Sequence, residues 1–269
     1  MEYCKIIPFD KILDIACVKA AGKYEHIYSV KRRTGADIVI NGPIFDMATH
    51  EICQSFICNG VEEGYTDGLR GFRFDGGEAR IAWGGEGAQN YISEFGLLVV
   101  DGAVRCSVSA SAHTRRGRTA IGVTISDELV VYVVTDDEKH AAKKTGQQLA
   151  EKMKALGCVQ AINLDGGGSS QVADHTGTYT AGRLVPGFIC IWLKPEKHKE
   201  GDTMQVIATK KLNTYDAKGN KENGRYIAKG DVCTITRTIT DALLVEVEYP
   251  ISHGRRTAFV KSLDGFRAV

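Results

Sequence analysis

One short segment combines a carboxylate, three glycines and two serines, and it is the first place where this chain could do chemistry. Residues 161–170 read AINLDGGGSS, a strand-like apolar run followed by Asp165 and the glycines. A carboxylate at the carboxyl end of a strand lies where α/β proteins form their sites. Glycines allow successive backbone N–H groups to turn toward an anion, and serine hydroxyls add donors. The residues that would bind substrate here are Gly166, Gly167, Gly168, Ser169 and Ser170.

An ordinary glycine-rich turn, capped by a solvated aspartate, is the alternative interpretation of the same segment. The glycines are not followed by Gly-Lys-Ser/Thr, so the segment is not a P-loop. It also lacks the Gly-x-Ser-x-Gly order of a nucleophile elbow. On these residues alone, the anion cradle and the plain turn both stay open.

Three further segments carry side chains suited to anion binding or proton transfer. HTRRGRTAIG (113–122) places three arginines before a strand-like run, and arginine suits two-pronged binding of phosphate or carboxylate. NGPIFD (41–46) has polar residues at both ends, and GRLVPGF (182–188) begins beside a single arginine. Their ordinary alternatives are a solvated basic face, a turn with caps and a surface arginine. The candidate residues are Asn41, Asp46, His113, Arg118, Thr119 and Arg183.

The histidines and cysteines show no metal-site spacing. The eight cysteines are spread widely, and no pair has the Cys-x-x-Cys spacing of a zinc or redox site. We interpret them as reduced structural thiols of a cytosolic protein, with an oxidised set in an exported protein as the alternative. No metal ligand is assigned. A divalent cation, calcium or magnesium, held by Asp, Ser and backbone oxygens stays an open cofactor.

Composition and charge exclude several function classes. The 269 residues carry a formal net charge of +1, which offers no global attraction to nucleic acid. No run approaches the ~18 apolar residues that a membrane-spanning helix needs. The first residues, MEYCKIIPFDKILDIACVKAAG, lack the apolar core of a signal peptide. We therefore expect a product that is cytoplasmic as synthesised, with release to act on the cell envelope as an alternative.

The elements that must position these residues are mostly strands. Runs of β-branched and aromatic residues predict six strands, and several candidate residues lie within them or directly beside them. These segments are 38–41, 97–102, 119–125, 128–135, 161–164 and 188–194. TGQQLAEKMKALG (145–157) predicts a helix with a capping box at Thr145 and Gln148 and a terminal Gly157. A weaker pattern predicts a second helix over residues 11–21.

The composition divides the chain into three parts. Residues 1–194 contain all the candidate residues, and residues 195–202 have the proline and charges of a solvated linker. Residues 203–269 have the strand spacing of a small all-β barrel. We predict an α/β (α+β) catalytic domain, with a mixed β-sheet and flanking helices, followed by the small barrel.

Taken in order, NGPIFD, RTAIGVT, LAEKMKALG, NLDGGGSS and GRLVPGF resemble the phosphodiester glycosidase family over residues 25–194. The family includes the lysosomal enzyme that removes N-acetylglucosamine from a mannose-phosphate diester. The resemblance aligns its glycine-rich aspartate with Asp165, its strand arginine with Arg118 and its serine with Ser169. The family's early asparagine corresponds to Asn41, and its late arginine to Arg183.

The chemistry implied by this resemblance is hydrolysis of the bond between a sugar and a phosphodiester. The leaving phosphate monoester is a weak base, so the main demand is stabilisation of its negative charge and of an oxocarbenium-like sugar. Arg118 and the backbone of the glycine run suit the first task, and Asp165 suits the second. Asp165 could act as nucleophile, as water-activating base or as electrostatic partner. Asp46 is the expected second carboxylate.

KKLNTY, IAKGD, LLVEVEY and TAFVKSL in residues 203–269 resemble a bacterial SH3-like domain. That resemblance implies a bacterial or phage source and a cell-wall ligand for the tail. A packing module that only orients the catalytic domain is the alternative. For the whole chain, the expected partner is a glycan or sugar-phosphate substrate, with no nucleic acid. The rival functions are a non-catalytic glycan- or phosphate-binding protein and a peptidoglycan-active enzyme anchored by its tail.

Overall fold

The computed structural model describes residues 1–65, 67–107, 113–136, 142–194, 204–216, 218–239, 244–261 and 265–268. The chain divides into two compact units, Met1–Lys194 and Pro195–Val269. The segment expected to be a linker, residues 195–202, lies outside the described residues. Each unit is described by itself below.

The first unit contains sixteen strands and two α-helices among its described residues. The strands are β1 (Glu2–Pro8), β2 (Ile12–Lys19), β3 (Ile38–Asn41), β4 (Phe56–Cys58), β5 (Val61–Glu62), β6 (Arg70–Asp75), β7 (Glu78–Trp83), β8 (Asn90–Ser93), β9 (Leu97–Val100), β10 (Ala103–Val104), β11 (Arg118–Thr124), β12 (Glu128–Val134), β13 (Cys158–Asn163), β14 (Val172–Asp174), β15 (Gly177–Tyr179) and β16 (Gly187–Leu193). The helices are α1 (Ile27–Thr34) and α2 (Gly146–Ala155).

These strands form three sheets. Their orders are β1-β12-β11-β13-β9-β10, β15-β14-β3-β16-β2 and β5-β4-β8-β6-β7. Every strand pair described in these sheets is antiparallel. The expected mixed sheet is therefore wrong for the described residues, and the unit is mostly β. Five of these pairs are hairpins between consecutive strands, and the others join strands that are not consecutive in the chain. At Asp101 and Gly102, for example, both φ angles are positive (49° and 72°), as a two-residue hairpin turn requires.

The three sheets share one apolar core. Ile121 and Val131 of the first sheet, Ile40 and Ile189 of the second and Phe72 of the third belong to one buried cluster. The helices cover the outer faces of the first two sheets. Separate clusters join α2 to the first sheet and α1 to the second. The ends of β3, β11 and β13, which carry the candidate residues, are thus held between packed layers.

Helix α2 confirms the capping prediction. The Thr145 side chain accepts a hydrogen bond from the backbone N–H of Gln148, and the Gln148 side chain accepts one from the backbone N–H of Thr145. Gly157 follows with φ of +88°, a conformation that favours glycine. The helix predicted over residues 11–21 is wrong. Most of that segment is strand β2, because its β-branched residues pair along the whole length of β16.

The second unit contains seven strands within its described residues. They are β17 (Met204–Ala208), β18 (Leu212–Tyr215), β19 (Lys221–Ile227), β20 (Val232–Ile239), β21 (Leu244–Ile251), β22 (Gly254–Val260) and β23 (Phe266–Ala268). They form one sheet in the order β19-β18-β22-β21-β20-β17-β23, around a core that includes Val206, Val247 and Val260. The two outer strands, β19 and β23, do not pair with each other in the part of the chain that is described. The sheet is not closed there, and the SH3-like barrel stays a prediction.

Within the described ranges, no helix has both the length and the apolar character needed to cross a membrane.

Candidate active site

A buried asparagine joins the three strand ends on which the site is built. Asn41, at the end of β3 and 1% exposed, donates from Nδ2 to the Asp165 carbonyl oxygen at 2.8 Å. Its Oδ1 accepts from the Thr119 hydroxyl at 2.7 Å and from the Gln171 backbone N–H at 3.1 Å. Asn41 therefore fixes the backbone at Asp165 against two sheets. Asn41 and Thr119, both expected to bind substrate, are buried in this joint.

Asp165 is a half-buried carboxylate within a local hydrogen-bond network. Its Oδ1 accepts from the Gly166 backbone N–H at 2.8 Å, and the Ser169 side chain bonds to the same carboxyl group. Ser169 in turn accepts from Nη1 of Arg183 at 3.2 Å. Burial raises the pKa of Asp165 to about 6, against the smaller lowering effects of these hydrogen bonds and of the Arg183 and Arg116 charges.

The glycine run brings backbone close to backbone, and two of its N–H groups are used inside the protein. Gly166 donates to Asp165, and Gly167 donates to the Gly117 carbonyl oxygen at 2.9 Å. The expected cradle of successive free N–H groups is therefore not formed by these two residues. Gly168 has a different reason to be glycine, because a Cβ there would lie 2.9 Å from Nη2 of Arg183. The missing side chain leaves room for the guanidinium.

A cavity of about 470 Å³ opens beside Asp165; we call it the anion cavity. Its charged lining contains more cations than carboxylates, which gives it a positive balance. These charged residues are Arg115, Arg116, Lys143, Arg183, Asp136 and Asp165. Gly166, Gly167 and Gly168 form part of the wall, and Ile44, Phe45 and Met47 form an apolar side. The buried Nε of Arg116 has no hydrogen-bond partner among the described residues, so the wall holds an unused donor.

Comparison with known proteins identifies the family of this chain. The sequence pattern of the phosphodiester glycosidase family matches residues 34–192, more than half of the chain. The chain belongs to the phosphodiester glycosidase family. No curated protein sequence matches it.

Two solved structures show the fold of this phosphodiester glycosidase domain at low identity. One is the catalytic domain of zebrafish N-acetylglucosamine-1-phosphodiester alpha-N-acetylglucosaminidase, auto-inhibited by its pro-peptide. It is 16% identical, with a TM-score of 0.57 over 72% of this chain and 84% of that one. The other is a hypothetical protein from Synechocystis, 12% identical, with a TM-score of 0.55 over 72% of this chain and 59% of that one.

Arg118 of the phosphodiester glycosidase domain is placed differently from the expectation that it meets the phosphate. Its side chain is 1% exposed. Nε donates to the Lys144 carbonyl oxygen at 3.0 Å and Nη2 donates to the Thr114 carbonyl oxygen at 3.0 Å. Burial lowers its pKa, with a further contribution from the neighbouring Arg116 charge. These contacts tie together the two segments that carry Arg116 and Lys143, so Arg118 supports the cavity wall from behind.

Three other expected residues lie away from the lining of the anion cavity. Asp46 is exposed, and its Oδ1 accepts from the backbone N–H groups of Ala48 (2.7 Å) and Thr49 (2.8 Å), which lowers its pKa. It caps a turn, as the ordinary interpretation of its segment held. His113 is exposed and is not part of the described lining. Ser170 is fully buried and is not part of the described lining.

Asp136 is the second carboxylate of the anion cavity, and sequence reasoning missed it. Its Oδ1 accepts from the Gly117 backbone N–H at 2.9 Å and lies 3.2 Å from the Lys143 ammonium nitrogen. A usable signal was present, because ELVVYVVTDD places an aspartate just past the end of a buried strand, as AINLD does.

Gln171 was also missed, although it positions Arg183. The fully buried Gln171 donates from Nε2 to the Arg183 carbonyl oxygen at 3.2 Å and accepts from the Thr180 hydroxyl at 3.3 Å. Its position directly after the two serines carried no chemical signal of its own. Together with Gly168 and Ser169, it fixes Arg183 at the cavity wall.

The described residues contain no group of three or more His, Cys, Asp or Glu side chains that could hold a metal ion. The calcium or magnesium considered from the sequence stays a prediction.

Proposed function

We propose that the chain is a hydrolase that cleaves the glycosyl–phosphate bond of a sugar phosphodiester. The observation that carries this proposal is the pairing of Asp165 with a cavity whose charged lining is mainly cationic, in a member of the phosphodiester glycosidase family. An anionic phosphodiester needs cations at its phosphate and a carboxylate at its sugar carbon. The anion cavity offers both within one wall.

The phosphate is bound by the cationic side of the cavity. Arg183, held by Gly168 and Ser169, offers a planar guanidinium suited to two phosphate oxygens. Arg116 lines the same cavity and adds a second guanidinium. Donors that are already oriented stabilise negative charge as it develops on the leaving phosphate, without reorganisation during the reaction.

Asp165 acts at the anomeric carbon of the sugar. In the reaction the bond between the anomeric carbon and the phosphate oxygen breaks, and its electron pair stays with the phosphate monoester. A water molecule supplies hydroxide to the anomeric carbon, and its proton is released. As nucleophile, as base or as electrostatic partner, Asp165 acts in its ionised form. With a pKa of about 6, it is mostly ionised at pH 7 and above. Asp136 replaces Asp46 as the second carboxylate in our proposal.

The substrates that we propose are N-acetylglucosamine-1-phosphodiesters or phosphate-containing envelope glycans, including teichoic-acid-like and capsular chains. The apolar wall supports this choice, since Met47 is 58% exposed and can contact a sugar face. A cell-wall ligand for residues 203–269 is proposed on the sequence resemblance alone.

The test is turnover of a sugar-1-phosphodiester with a chromogenic alcohol. Asp165→Asn should lower kcat by at least about 100-fold, the scale of positioned acid–base and electrostatic groups. Asp101→Asn is the matched control, because Asp101 is exposed in a hairpin and asparagine tolerates its positive φ of 49°. Full turnover by Asp165→Asn would remove Asp165 from the mechanism. Binding without product release by the unmodified chain would favour the rival function, a non-catalytic phosphate- or glycan-binding protein.

A further inference from the structure

A second cavity of about 550 Å³ lies in the same unit and is lined in part by the segment that also forms the apolar wall of the anion cavity. We call it the distal cavity and define it by its main side chains, which are Lys19, Lys23, His50, Glu51, Glu63 and Tyr65. Resting on the function proposed above, we propose that the distal cavity binds a neutral sugar residue next to the cleaved unit. The substrate would then be a chain of sugars rather than a single sugar phosphate.

One segment builds a wall of both cavities. Within residues 44–52, Ile44, Phe45 and Met47 line the anion cavity, whereas His50 and Ile52 line the distal cavity. The Phe45 and His50 rings stack with their centroids 6.2 Å apart. The two cavities therefore share one wall segment, and in our proposal a ligand longer than one unit continues past this segment from the anion cavity to the distal cavity.

The turn between the two walls is held by Asp46. Besides its bonds to Ala48 and Thr49, its carbonyl oxygen accepts from the His50 backbone N–H at 2.8 Å. His50 has a positive φ of 65°, which costs free energy in a residue other than glycine. Its ring is also packed against Tyr24, with centroids 4.7 Å apart. These contacts fix the direction in which the His50 ring enters the distal cavity.

The charge balance of the distal cavity favours a neutral ligand. Lys19 and Glu63 form an ion pair, and Lys23 and Glu51 add one charge of each sign. The anion cavity, by contrast, has a cationic excess. A second phosphate would gain little electrostatic binding free energy in the distal cavity. Paired charges offer donors and acceptors to hydroxyl groups on every side.

Tyr65 gives the distal cavity an apolar face. The side chain is 56% exposed, so its ring lies open to a ligand. An open aromatic ring beside polar side chains suits a sugar, which has an apolar face of C–H groups and a rim of hydroxyls. A large hydrophobic ligand fits poorly here, because most of the lining is charged or polar.

The test compares one minimal and two extended probes. The minimal probe is a methyl diester of N-acetylglucosamine-1-phosphate. One extended probe replaces the methyl group by a hexose, and the other adds a hexose to the N-acetylglucosamine. Tyr65→Ala should lower kcat/KM about fivefold on one extended probe, through KM, and leave the minimal probe unchanged. The affected probe identifies the side on which the chain continues.

Tyr28→Ala is the matched control, because Tyr28 is also 56% exposed but lies outside the distal cavity. His50→Gly is the second variant, since glycine adopts the positive φ and the change removes the imidazole side chain. It should lower kcat/KM on the same extended probe as Tyr65→Ala and leave the minimal probe unchanged. Equal effects of Tyr65→Ala on all three probes, or none on any, would overturn the inference and leave the proposed function intact. If the unmodified chain cleaves no probe, the proposed function fails instead. Calorimetry then measures the binding of the extended probes. Equal affinity of the Tyr65→Ala variant and the unmodified chain for these probes would overturn the distal sugar site.

Discussion

Replacing Asp165 by asparagine should stabilise the first unit although it lowers kcat by at least about 100-fold. Burial raises the pKa of this carboxyl group from its ordinary value of 3.8 to about 6. A tenfold change in the ionisation equilibrium corresponds to about 1.4 kcal/mol. Keeping this carboxyl group ionised in the folded state therefore lowers the free energy of unfolding by about 3 kcal/mol. Asparagine has no ionised form, and its side-chain oxygen can still accept from the Gly166 N–H.

The sign of the effect depends on pH. Below pH 3.8 the carboxyl group is protonated in both states, so its burial costs no ionisation free energy. Between pH 3.8 and about 6 the unfolded chain ionises first, so the free energy of unfolding falls as pH rises. At pH 8 the free energy of unfolding of the Asp165→Asn variant should exceed that of the unmodified chain by up to about 3 kcal/mol. At pH 4.5 the difference should shrink to about 1 kcal/mol.

Tryptophan fluorescence during urea unfolding measures this difference for the first unit alone. The chain has two tryptophans, Trp83 and Trp192, and both lie within Met1–Lys194. Asp46→Asn is the control of opposite sign. Because hydrogen bonds lower the pKa of Asp46, its replacement should destabilise the unit at pH 8 and lose that effect in acid. An unchanged free energy of unfolding for Asp165→Asn at pH 8, or an equal gain at both pH values, would refute the reasoning.

Three further substitutions test the supports of the site. Gly168→Ala should lower kcat/KM at least about tenfold by displacing the Arg183 guanidinium, since its Cβ would lie 2.9 Å from Nη2; unchanged kinetics would show that Arg183 needs no such room. Asn41→Ala should reduce the free energy of unfolding by about 2–3 kcal/mol, because it leaves buried partners unsatisfied; a loss below 0.5 kcal/mol in urea titrations would exclude the joint as a stabilising element. Thr145→Ala should cost about 1 kcal/mol by removing the capping box, with activity unchanged; lost activity at full stability would contradict a purely structural cap.

Local patterns predicted the strands and the helix that frame the site. The predicted strands at 38–41, 128–135 and 188–194 correspond to β3, β12 and β16, and helix α2 begins at the predicted cap. These elements have strong periodic or capping signals. The helix prediction for residues 11–21 was wrong because the spacing of the apolar residues fits both a helix and a strand. Pairing with β16 decides in favour of a strand.

The site was harder to predict than the fold, because distances through space do not appear in the order of residues. Asp165 and Arg183 were found from their own segments, and they are linked through Ser169. Asp136 was missed because it enters the cavity from a different strand end. Arg118 looked like a phosphate ligand because charge suggests exposure, whereas its hydrogen bonds to two carbonyl groups allow it to be buried.

The central claim is that water attacks the sugar carbon and that phosphate leaves. Hydrolysis of the methyl diester of N-acetylglucosamine-1-phosphate in water enriched in oxygen-18, followed by mass spectrometry of both products, tests it directly. We predict the label at the anomeric oxygen of the released sugar and none in methyl phosphate. Label in a phosphate product would mean attack at phosphorus, and the assignment of Asp165 to the sugar carbon would be wrong.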